Sequence, residues 1–574
     1  MKKINKFLSL LCAMLLTSTL SYGQYPTDPN LPFDVYTTVT WTTFVDHCDD
    51  IIIHSGGKLI LSNTTLELGY PNKITVKNGG QIIVDNSTIQ GDFNESCSYM
   101  PQRWNGIQFE NTYLSDPNTD PAVIIKNGSV LTYANTAITG LSTYNSNSSK
   151  ARRIDITNSS FTDNVTHMYL AYPANNTDPG ITNIHSVIDE CLFDNSGPRA
   201  MSIVRGNDID FTNNEIHNYD NSNGINYNDY GMYVYGSKNL YFGYNLFNNT
   251  GTFGMIFSGP DNAINNTVYT TENITLLNNR FYSNSTPNEL NFTGYNYTAI
   301  YFGQYPGTVT SPPLVTGNKI DNISISYSTL LNTNPDLSYT YCGIYTDVIE
   351  NNNMEIHINY MDYFHTGVSV NNCLTTSGSY IYDNDFQKCG IGVQSRDNNS
   401  QLSVSCNNFD SGGLGIQVTT GSSLKNQLTA DHMDQYITNG MDIECLSTTS
   451  FLYSYSNLNS NYAIQFNGNV VPLYTPDVVK CEGQAPSQRQ ANIVETNLMV
   501  DVHPNPASDI LTIELDQVAK DGTITLIDQL GKVILTQPLN SLSENIDISS
   551  LENGMYILNI ESNGRSTTKK VLIQ

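Results

Sequence analysis

The sequence predicts an all-β protein in which a long solenoid of short parallel strands is followed by a small antiparallel β-sandwich. Segments 56–66 and 79–89 repeat one pattern with an offset of 23 residues, so that Leu59 corresponds to Ile82. Segment 128–138 reads as a third copy, 49 residues after the second, with room for one unit between them. Self-similarity at such a period is the signature of a solenoid.

The length of the repeat limits its geometry. Alternating apolar residues broken by Gly, Asn and Asp predict short strands with one buried face. If each coil of chain lays its strands on those of the previous coil, about 4.8 Å away, equivalent side chains stack in columns. The Asn that follows a strand fits a turn, because Asn tolerates left-handed backbone and its amide can bond the next Asn in the stack. The repeat therefore predicts a parallel β-helix.

These features resemble the right-handed parallel β-helix family, which includes pectate-lyase-like proteins and many repeat-only surface proteins. Segment 104–109 also resembles the Trp-x-Gly-Ile coil of secreted members, which implies that Ile107 and Phe109 point inward. The main alternative is a leucine-rich-repeat horseshoe, whose return segments are usually helical. Return segments here consist of Asn, Thr, Ser, Gly and Tyr, which favours the β-helix over residues 51–470.

The chain divides into five expected regions. Residues 1–23 read as a secretory signal, with a charged start, an apolar run and a small-x-small cleavage site. Residues 24–50 do not repeat and are expected to cap the open strand edges of the solenoid. Residues 471–496 are rich in Pro and Gln and read as a linker before the sandwich at 497–574. Beyond the leader, no stretch approaches the ~18 apolar residues of a membrane span.

The last region contains five or more short alternating strands with turns between them, which predicts an antiparallel sandwich. It resembles the type A C-terminal sorting domain of the type IX secretion system. The resemblance rests on Pro504, Asn505, Pro506, Gly531, Gly554, Tyr556, Lys569 and Lys570. It implies export across the outer membrane of a Bacteroidota-type bacterium by that machinery, removal of the domain by a sortase, and release or attachment at the cell surface.

The charge balance restricts the partners. The formal net charge is −27 and becomes −30 without Lys2, Lys3 and Lys6 of the leader, so nucleic acid is not expected to bind. An acidic surface could hold Ca²⁺, but solubility explains the acidity more simply. We therefore predict no dedicated metal site and no cofactor.

Nine cysteines remain after the leader, with no Cys-x-x-Cys pair, so a zinc site is not predicted. Because an exported protein can form disulfides, Cys445 and Cys481 are the expected pair near the end of the solenoid. The odd count leaves at least one free thiol.

A catalytic site would need carboxylates or a basic residue on an outer face. The best local set is Arg205, Asp208, Asp210, Glu215 and His217. Asp208 and Asp210 flank the inward Ile209 and should share an outer face, where a cation could bridge them. Solvated strand charges explain the same pattern. Polygalacturonase-like members resemble one another in a Gly-His-Gly and an Arg-x-Lys, and both are missing here.

Tyrosines give a second candidate site. Tyr233, Tyr235, Tyr241 and Tyr244 alternate with apolar residues, which places their rings outward, where they could stack on sugars. The high β propensity of Tyr explains the same pattern. Two hypotheses follow: a noncatalytic glycan-binding or adhesin-like surface protein, and, as the alternative, a polysaccharide lyase or glycoside hydrolase.

Overall fold

The structure is a computed structural model, and its described residues form two units, which fall within 1–482 and 483–574. The described residues are 31–92, 103–110, 112–113, 120–141, 149–150, 152–172, 185–197, 199–217, 230–248, 250–259, 271–283, 293–303, 320–332, 340–347, 354–371, 379–410, 412–427, 435–436, 441–455, 464–474, 500–503, 507, 510–515, 522–527, 533–539, 541, 543–549, 551, 554–562 and 565–573. The secretory signal expected at 1–23 lies outside them.

The first unit is a right-handed parallel β-helix built from three long sheets. Its first sheet consists of Phe33–Val35, Ile51–Ile53, Ile74–Val76, Ile107–Glu110, Thr136–Leu141, Thr166–Ala171, Arg199–Val204, Tyr230–Tyr235, Phe253–Ser258, Tyr297–Phe302, Tyr341–Asp347, Thr366–Asn371, Ile391–Arg396, Leu414–Val418, Met441–Cys445 and Phe466–Gly468. The second sheet consists of Thr38–Trp41, Lys58–Ser62, Gln81–Asp85, Val123–Lys126, Ile154–Thr157, Ser186–Asp189, Asn207–Thr212, Lys238–Gly243, Thr271–Leu277, Ile320–Ser326, Met354–His357, Ser379–Tyr382 and Leu402–Ser405.

The third sheet consists of Val45–His47, Thr65–Leu68, Thr88–Gly91, Ser129–Thr132, Ser159–Thr162, Leu192–Asp194, Glu215–Ile216, Leu246–Asn248, Arg280–Ser283, Thr329–Asn332, Tyr360–Asp362, Asp385–Gln387, Asn408–Asp410 and Gln435–Tyr436. Short pairs join Thr112–Tyr113 to Ser149–Lys150, Asn398–Asn399 to Ser423–Leu424, and Phe451–Tyr455 to Val470–Tyr474. Each regular coil therefore supplies one strand to each long sheet in turn.

The predicted columns are present. Leu59 pairs with Ile82 in the second sheet, and both are fully buried. Rings stack in the same way along the inside of the third sheet, where the Phe386 and Phe409 centroids are 5.1 Å apart. The inward residues of the coils form one continuous apolar core. Stability therefore comes from contacts between neighbouring coils, as in other solenoids.

The prediction that segment 128–138 is a third copy of the repeat is wrong by one strand. Leu131 of segment 128–138 pairs with Ile89 in the third sheet, whereas Val123–Lys126 continues the second sheet beside Ile82. No extra coil separates the second copy from the next one. The error arises because strands of both sheets show the same alternation followed by a polar turn.

The ends of the solenoid also differ from expectation. We expected a cap at 24–50, but strands Phe33–Val35, Thr38–Trp41 and Val45–His47 already form the first coil and pair with the second in all three sheets. At the other end, strand Val470–Tyr474 extends into the expected linker.

The expected disulfide of Cys445 is wrong. Cys445 is a buried free thiol on an inward strand position, and its Sγ lies 3.6 Å from the Thr449 carbonyl oxygen. Cys48 and Cys406 each take part in a disulfide. Buried free thiols also occur among the described residues at Cys191, Cys342 and Cys389, where they act as small apolar side chains.

From the second coil onwards, the described turns between the second and third sheets begin with the same left-handed backbone conformation. Their first residue has positive φ, at Asn63, Asn86, Asn127, Asn158, Glu190, Asn213, Tyr244, Asn278, Tyr327, Ile358, Asp383 and Cys406. Among L-residues Asn adopts this conformation most readily. Asn86 also donates to the Asn63 side chain at 2.7 Å, as the repeat predicts.

The next residue of this turn forms a buried amide ladder. Its members are Asn214, Asn245, Asn279, Ser328, Asn359, Asn384 and Asn407. The amide nitrogen of Asn245 donates to the Phe211 carbonyl at 2.8 Å and to the Asn279 side chain at 2.9 Å. Each asparagine of the ladder thus satisfies a buried carbonyl and links two coils, and Ser328 takes one position with a hydroxyl group.

The second unit is a two-sheet antiparallel sandwich. One sheet consists of Val500–His503, Ile510–Leu515 and Ser543–Asp547, and the other of Val533–Leu539, Gly522–Ile527, Gly554–Ser562 and Arg565–Ile573. The two sheets share an apolar core of their own.

Replacing a rung of the amide ladder should destabilise the solenoid. Asn245→Ala leaves the Phe211 carbonyl and the Asn214 donors without their partner, so we expect a loss of about 3 kcal/mol in chemical denaturation. Asn278→Gly is the control, because its φ of 55° suits Gly and its side chain lies outside the ladder. Equal effects of both substitutions would contradict this role.

The buried His167 should make the solenoid sensitive to acid. Burial lowers its pKa from 6.5 to about 3, so the unfolded state binds the proton more readily between these pH values. Stability is then lost as pH falls from 6.5 towards 3, by about 4 kcal/mol at most. His167→Phe, which fits between Phe161 and Phe193, should weaken this pH dependence of Tm, and the exposed His185→Gln should not. Identical pH profiles for wild type and His167→Phe would refute the assignment.

Candidate functional site

The outward side of the first sheet changes character along the solenoid. Strand register aligns one outward residue from each of nine successive coils, and we call this set the outer column. Its members are Tyr233, Ile256, Tyr301, Tyr345, Ser369, Gln394, Gln417, Glu444 and Asn467. The first four are apolar or aromatic, and the last five are polar.

The aromatic half is buried beneath other side chains. Tyr301 and Tyr345 stack with centroids 5.9 Å apart, and Tyr295 meets Tyr345 edge to face at 6.2 Å. These residues belong to an apolar cluster outside the coil core, together with Tyr230, Tyr233, Tyr235, Phe253, Ile256 and Cys342. Burial raises the pKa of Tyr295 and Tyr301.

The polar half forms a chain of side-chain hydrogen bonds, which we call the polar ladder. Its residues are Ser369, Gln394, Gln417, Glu444 and Asn467. The distances along it are 3.4 Å, 2.7 Å, 2.8 Å and 2.9 Å in that order. Amide and carboxylate groups are therefore held in fixed orientations, one per coil.

Arg396 lies where the aromatic and polar halves meet. Its Nε donates to Gln394 Oε1 at 2.6 Å, and one terminal nitrogen donates to the Tyr295 hydroxyl at 3.2 Å. The guanidinium carbon is 5.8 Å from the ring centroids of both Tyr295 and Tyr345. Among the described residues, no carboxylate forms an ion pair with it.

Asp347 is the half-buried acid of this region. It accepts a hydrogen bond from Asn371 Nδ2 at 2.8 Å and another from the Tyr301 hydroxyl. Burial raises the pKa of its carboxyl group, and the nearby Asp397 raises it further. Clustered perturbed groups of this kind are typical of functional sites. No local motif in the sequence marks Arg396 or Asp347.

The structure separates the five predicted catalytic residues. Arg205 is buried in a turn, where its Nε donates to the Tyr172 carbonyl at 2.9 Å. Asp208 and Asp210 share the outer face of the second sheet as expected, whereas Glu215 and His217 form an ion pair beside the third sheet. The five therefore do not form one site.

A histidine that the sequence reasoning missed joins the two aspartates. His185 Nδ1 lies 3.1 Å from Asp208 Oδ1, and its Nε2 lies 3.4 Å from Asp210 Oδ2. His185 precedes Asp208 by 23 residues, which is the repeat offset, so the period could have revealed it.

The predicted tyrosine stripe is only partly accessible. Tyr233 and Tyr235 face outward, but each is only 7% exposed within the aromatic cluster, which leaves little of either ring available for stacking on a sugar. Tyr241 is half-buried on the second sheet, and Tyr244, in the following turn, is 51% exposed.

Three carboxylates at the start of the solenoid could hold a cation. Oxygen atoms of Asp46, Glu67 and Asp92 lie within 4.8 Å of one another. Asp46 and Glu67 are partners in the third sheet, and Gln90 donates to Glu67 at 2.6 Å. An all-oxygen set of this kind suits Ca²⁺ better than zinc.

The described part of the sorting motif is structural. Gly554 begins a strand, Tyr556 packs in the sandwich core, and Lys569 and Lys570 lie on the last strand, with Lys569 exposed. Pro504, Asn505, Pro506 and Gly531 lie outside the described residues.

Residues 501–574 match the family described as the secretion system C-terminal sorting domain. The chain is therefore a parallel β-helix protein that carries such a sorting domain. It belongs to the exported cargo of the type IX secretion system. Among the described residues, no helix is long and apolar enough to cross a membrane.

Three solved structures align with long stretches of the chain at low sequence identity. A periplasmic alginate epimerase is 10% identical to this chain with a TM-score of 0.35, and the alignment covers 75% of this chain and 78% of the epimerase. A tailspike protein of an E. coli bacteriophage, in complex with a pentasaccharide, is 10% identical with a TM-score of 0.36, covering 91% and 85%. The A-module of an Azotobacter vinelandii mannuronan C-5 epimerase is 11% identical with a TM-score of 0.24, covering 79% and 90%. No curated protein sequence matches the chain.

Asp347 should limit stability at neutral pH. Its folded-state pKa is raised, so its favourable contribution is present below the unfolded pKa of 3.8 and is lost as pH rises through the folded value. Asp347→Asn keeps an acceptor for Asn371 and removes the buried charge. We expect a higher Tm than wild type at pH 8 and a difference near zero at pH 3. A lower Tm at pH 8 would show that the charge is needed for folding.

Proposed function

We propose that the exported chain binds a linear polysaccharide along the polar ladder without cleaving it. The observation that carries this proposal is the chain of hydrogen-bonded polar side chains from Ser369 to Asn467, of which Gln417, Glu444 and Asn467 are accessible to a ligand. Amide groups both donate and accept hydrogen bonds, as sugar hydroxyls do. A row of weak contacts spaced about 4.8 Å apart gains affinity through repetition.

Arg396 supports a glycan as the ligand. It presents donors beside the tyrosine rings at the start of the ladder, which is a combination that suits sugar hydroxyl and carboxylate groups. A half-buried guanidinium without a carboxylate partner among the described residues also gains from a ligand that supplies acceptors.

The ladder carries one carboxylate, Glu444, and its distance from Asp347 supports binding without cleavage there, whereas the proximity of Asp397 to Asp347 favours the alternative. Asp347 lies on a strand four strands from that of Glu444, so the two are separated by about 19 Å at one strand spacing per coil. Glycoside hydrolysis uses two carboxyl groups roughly 5–9.5 Å apart. The alternative, a polysaccharide lyase or hydrolase, is favoured by the raised pKa of Asp347, since a carboxyl group that retains its proton can act as a general acid.

Export would place this binding surface outside the cell. The sorting domain directs the chain to the type IX machinery, and we propose that a sortase then removes the domain. The solenoid would act outside the outer membrane, attached to the cell surface as an adhesin-like module or released.

Binding and cleavage can be separated with one panel. The full chain is run by affinity electrophoresis in gels containing xylan, homogalacturonan, alginate or chitosan, with and without Ca²⁺, and parallel digests are assayed for new reducing or unsaturated ends. We expect retention by at least one polysaccharide and no new ends. New ends would establish an enzyme, and no retention on any gel would overturn the proposal.

Substitution in the ladder should reduce retention. Gln417→Ala removes a side chain that joins Gln394 to Glu444, and we expect about tenfold weaker binding, equivalent to about 1.4 kcal/mol. Tyr380→Ala is the control, because Tyr380 is exposed on the second sheet. Equal losses in both variants would place the binding surface elsewhere.

A further inference from the structure

Exposure increases steadily along the polar ladder. Ser369 is fully buried and Gln394 is 7% exposed, whereas Gln417 and Glu444 are half-buried and Asn467 is exposed. On the other side of Ser369, the outer column continues as the buried Tyr345 and Tyr301. The ladder is therefore accessible from Gln417 to Asn467 and covered from Gln394 towards Tyr345.

Tyr295 forms the wall at the closed end. It precedes strand Tyr297–Phe302, yet its hydroxyl donates to Thr366 Oγ1 at 3.1 Å, two strands further along the first sheet. The neighbouring Asn296 anchors the segment, since its backbone nitrogen donates to the Thr340 carbonyl and its side chain accepts from the Thr340 nitrogen, each at 2.7 Å. Tyr295 thus crosses the sheet in a fixed position.

Arg396 lies against this wall and faces the ladder. Its guanidinium donates to Gln394 and Tyr295 and also interacts with the Tyr345 hydroxyl, and these contacts fix its plane at the junction. A polysaccharide lying on the ladder would meet Arg396 and the Tyr295 ring at its end, and a chain continuing past them would collide with the buried aromatic cluster.

We infer that the polar ladder is a one-ended groove that receives the terminal sugar of a polysaccharide against Tyr295 and Arg396, with the rest of the chain running towards Asn467. This inference rests on the proposed function and makes it more specific, because the site then recognises chain ends rather than internal segments. Tyr295 is the specificity-determining residue, since it blocks the groove.

Chain-length dependence tests the inference. Xylan, homogalacturonan, alginate and chitosan are each divided into short and long fractions. For each fraction, the mass concentration that half-saturates the full-length protein is measured. End recognition predicts that a fraction about ten times longer needs about tenfold more mass, because it carries fewer ends per gram. Half-saturation at equal mass for both fractions would overturn the inference and leave the proposed function standing. Failure of every fraction to bind would overturn both.

Opening the closed end tests the wall itself. Tyr295→Ala should let long chains pass, so that short and long fractions saturate at similar mass, whereas Tyr295→Phe, which keeps the ring, should retain the length dependence. Tyr380→Ala is the surface control, and Tm measurements establish that each variant is folded. Unchanged length dependence in a folded Tyr295→Ala protein would show that Tyr295 does not close the groove.

Discussion

The turn that follows the second sheet sets the register of the solenoid from Asn214 to Asn407. One residue turns the chain through left-handed backbone, and the next buries an amide that binds the carbonyl of one coil and the side chain of another. Because a one-residue slip would reverse every strand face, this repeated lock determines which side chains point inward. The outer column depends on it, since its polar half is continuous only if the coils remain in register.

The outer face of the first sheet has an aromatic half and a polar half, and Tyr295 lies over the place where they meet. Coils of similar backbone carry aromatic residues before Ser369 and polar residues after it. Tyr295 covers the junction from a segment outside the regular repeat, and Arg396 bonds to it from later in the chain. Tyr295, which lies outside the repeat, thus gives the regular solenoid a local feature, the covered junction between the aromatic and polar halves.

The sequence predicted the fold because the repeat itself carries the register. An offset of 23 residues placed Leu59 on Ile82 without any structural information. The misassigned segment 128–138 shows the limit of this reasoning, since two sheets share one local pattern and only pairing distinguishes them. The recurring Asn was expected to serve both the turn and the stack; in later coils these tasks fall to adjacent residues, such as Asn213 and Asn214.

The candidate site was less predictable. The alternation of tyrosines with apolar residues placed Tyr233 on the outward face. The burial of Tyr233 depends on residues from other coils and insertions, among them Tyr295 and Tyr301. Arg396 and Asp347 acquire their environments in the same way, through partners that no local spacing connects.

Cross-linking tests the stacked outer column most directly. Gln417→Cys combined with Glu444→Cys places two thiols on paired positions of adjacent strands, and Gln417→Cys with Leu446→Cys is the offset control. The account predicts that a short bifunctional thiol reagent joins the first pair rapidly and the second slowly, as measured by mass spectrometry of the digested protein. Faster joining of the offset pair would contradict the register on which the groove depends.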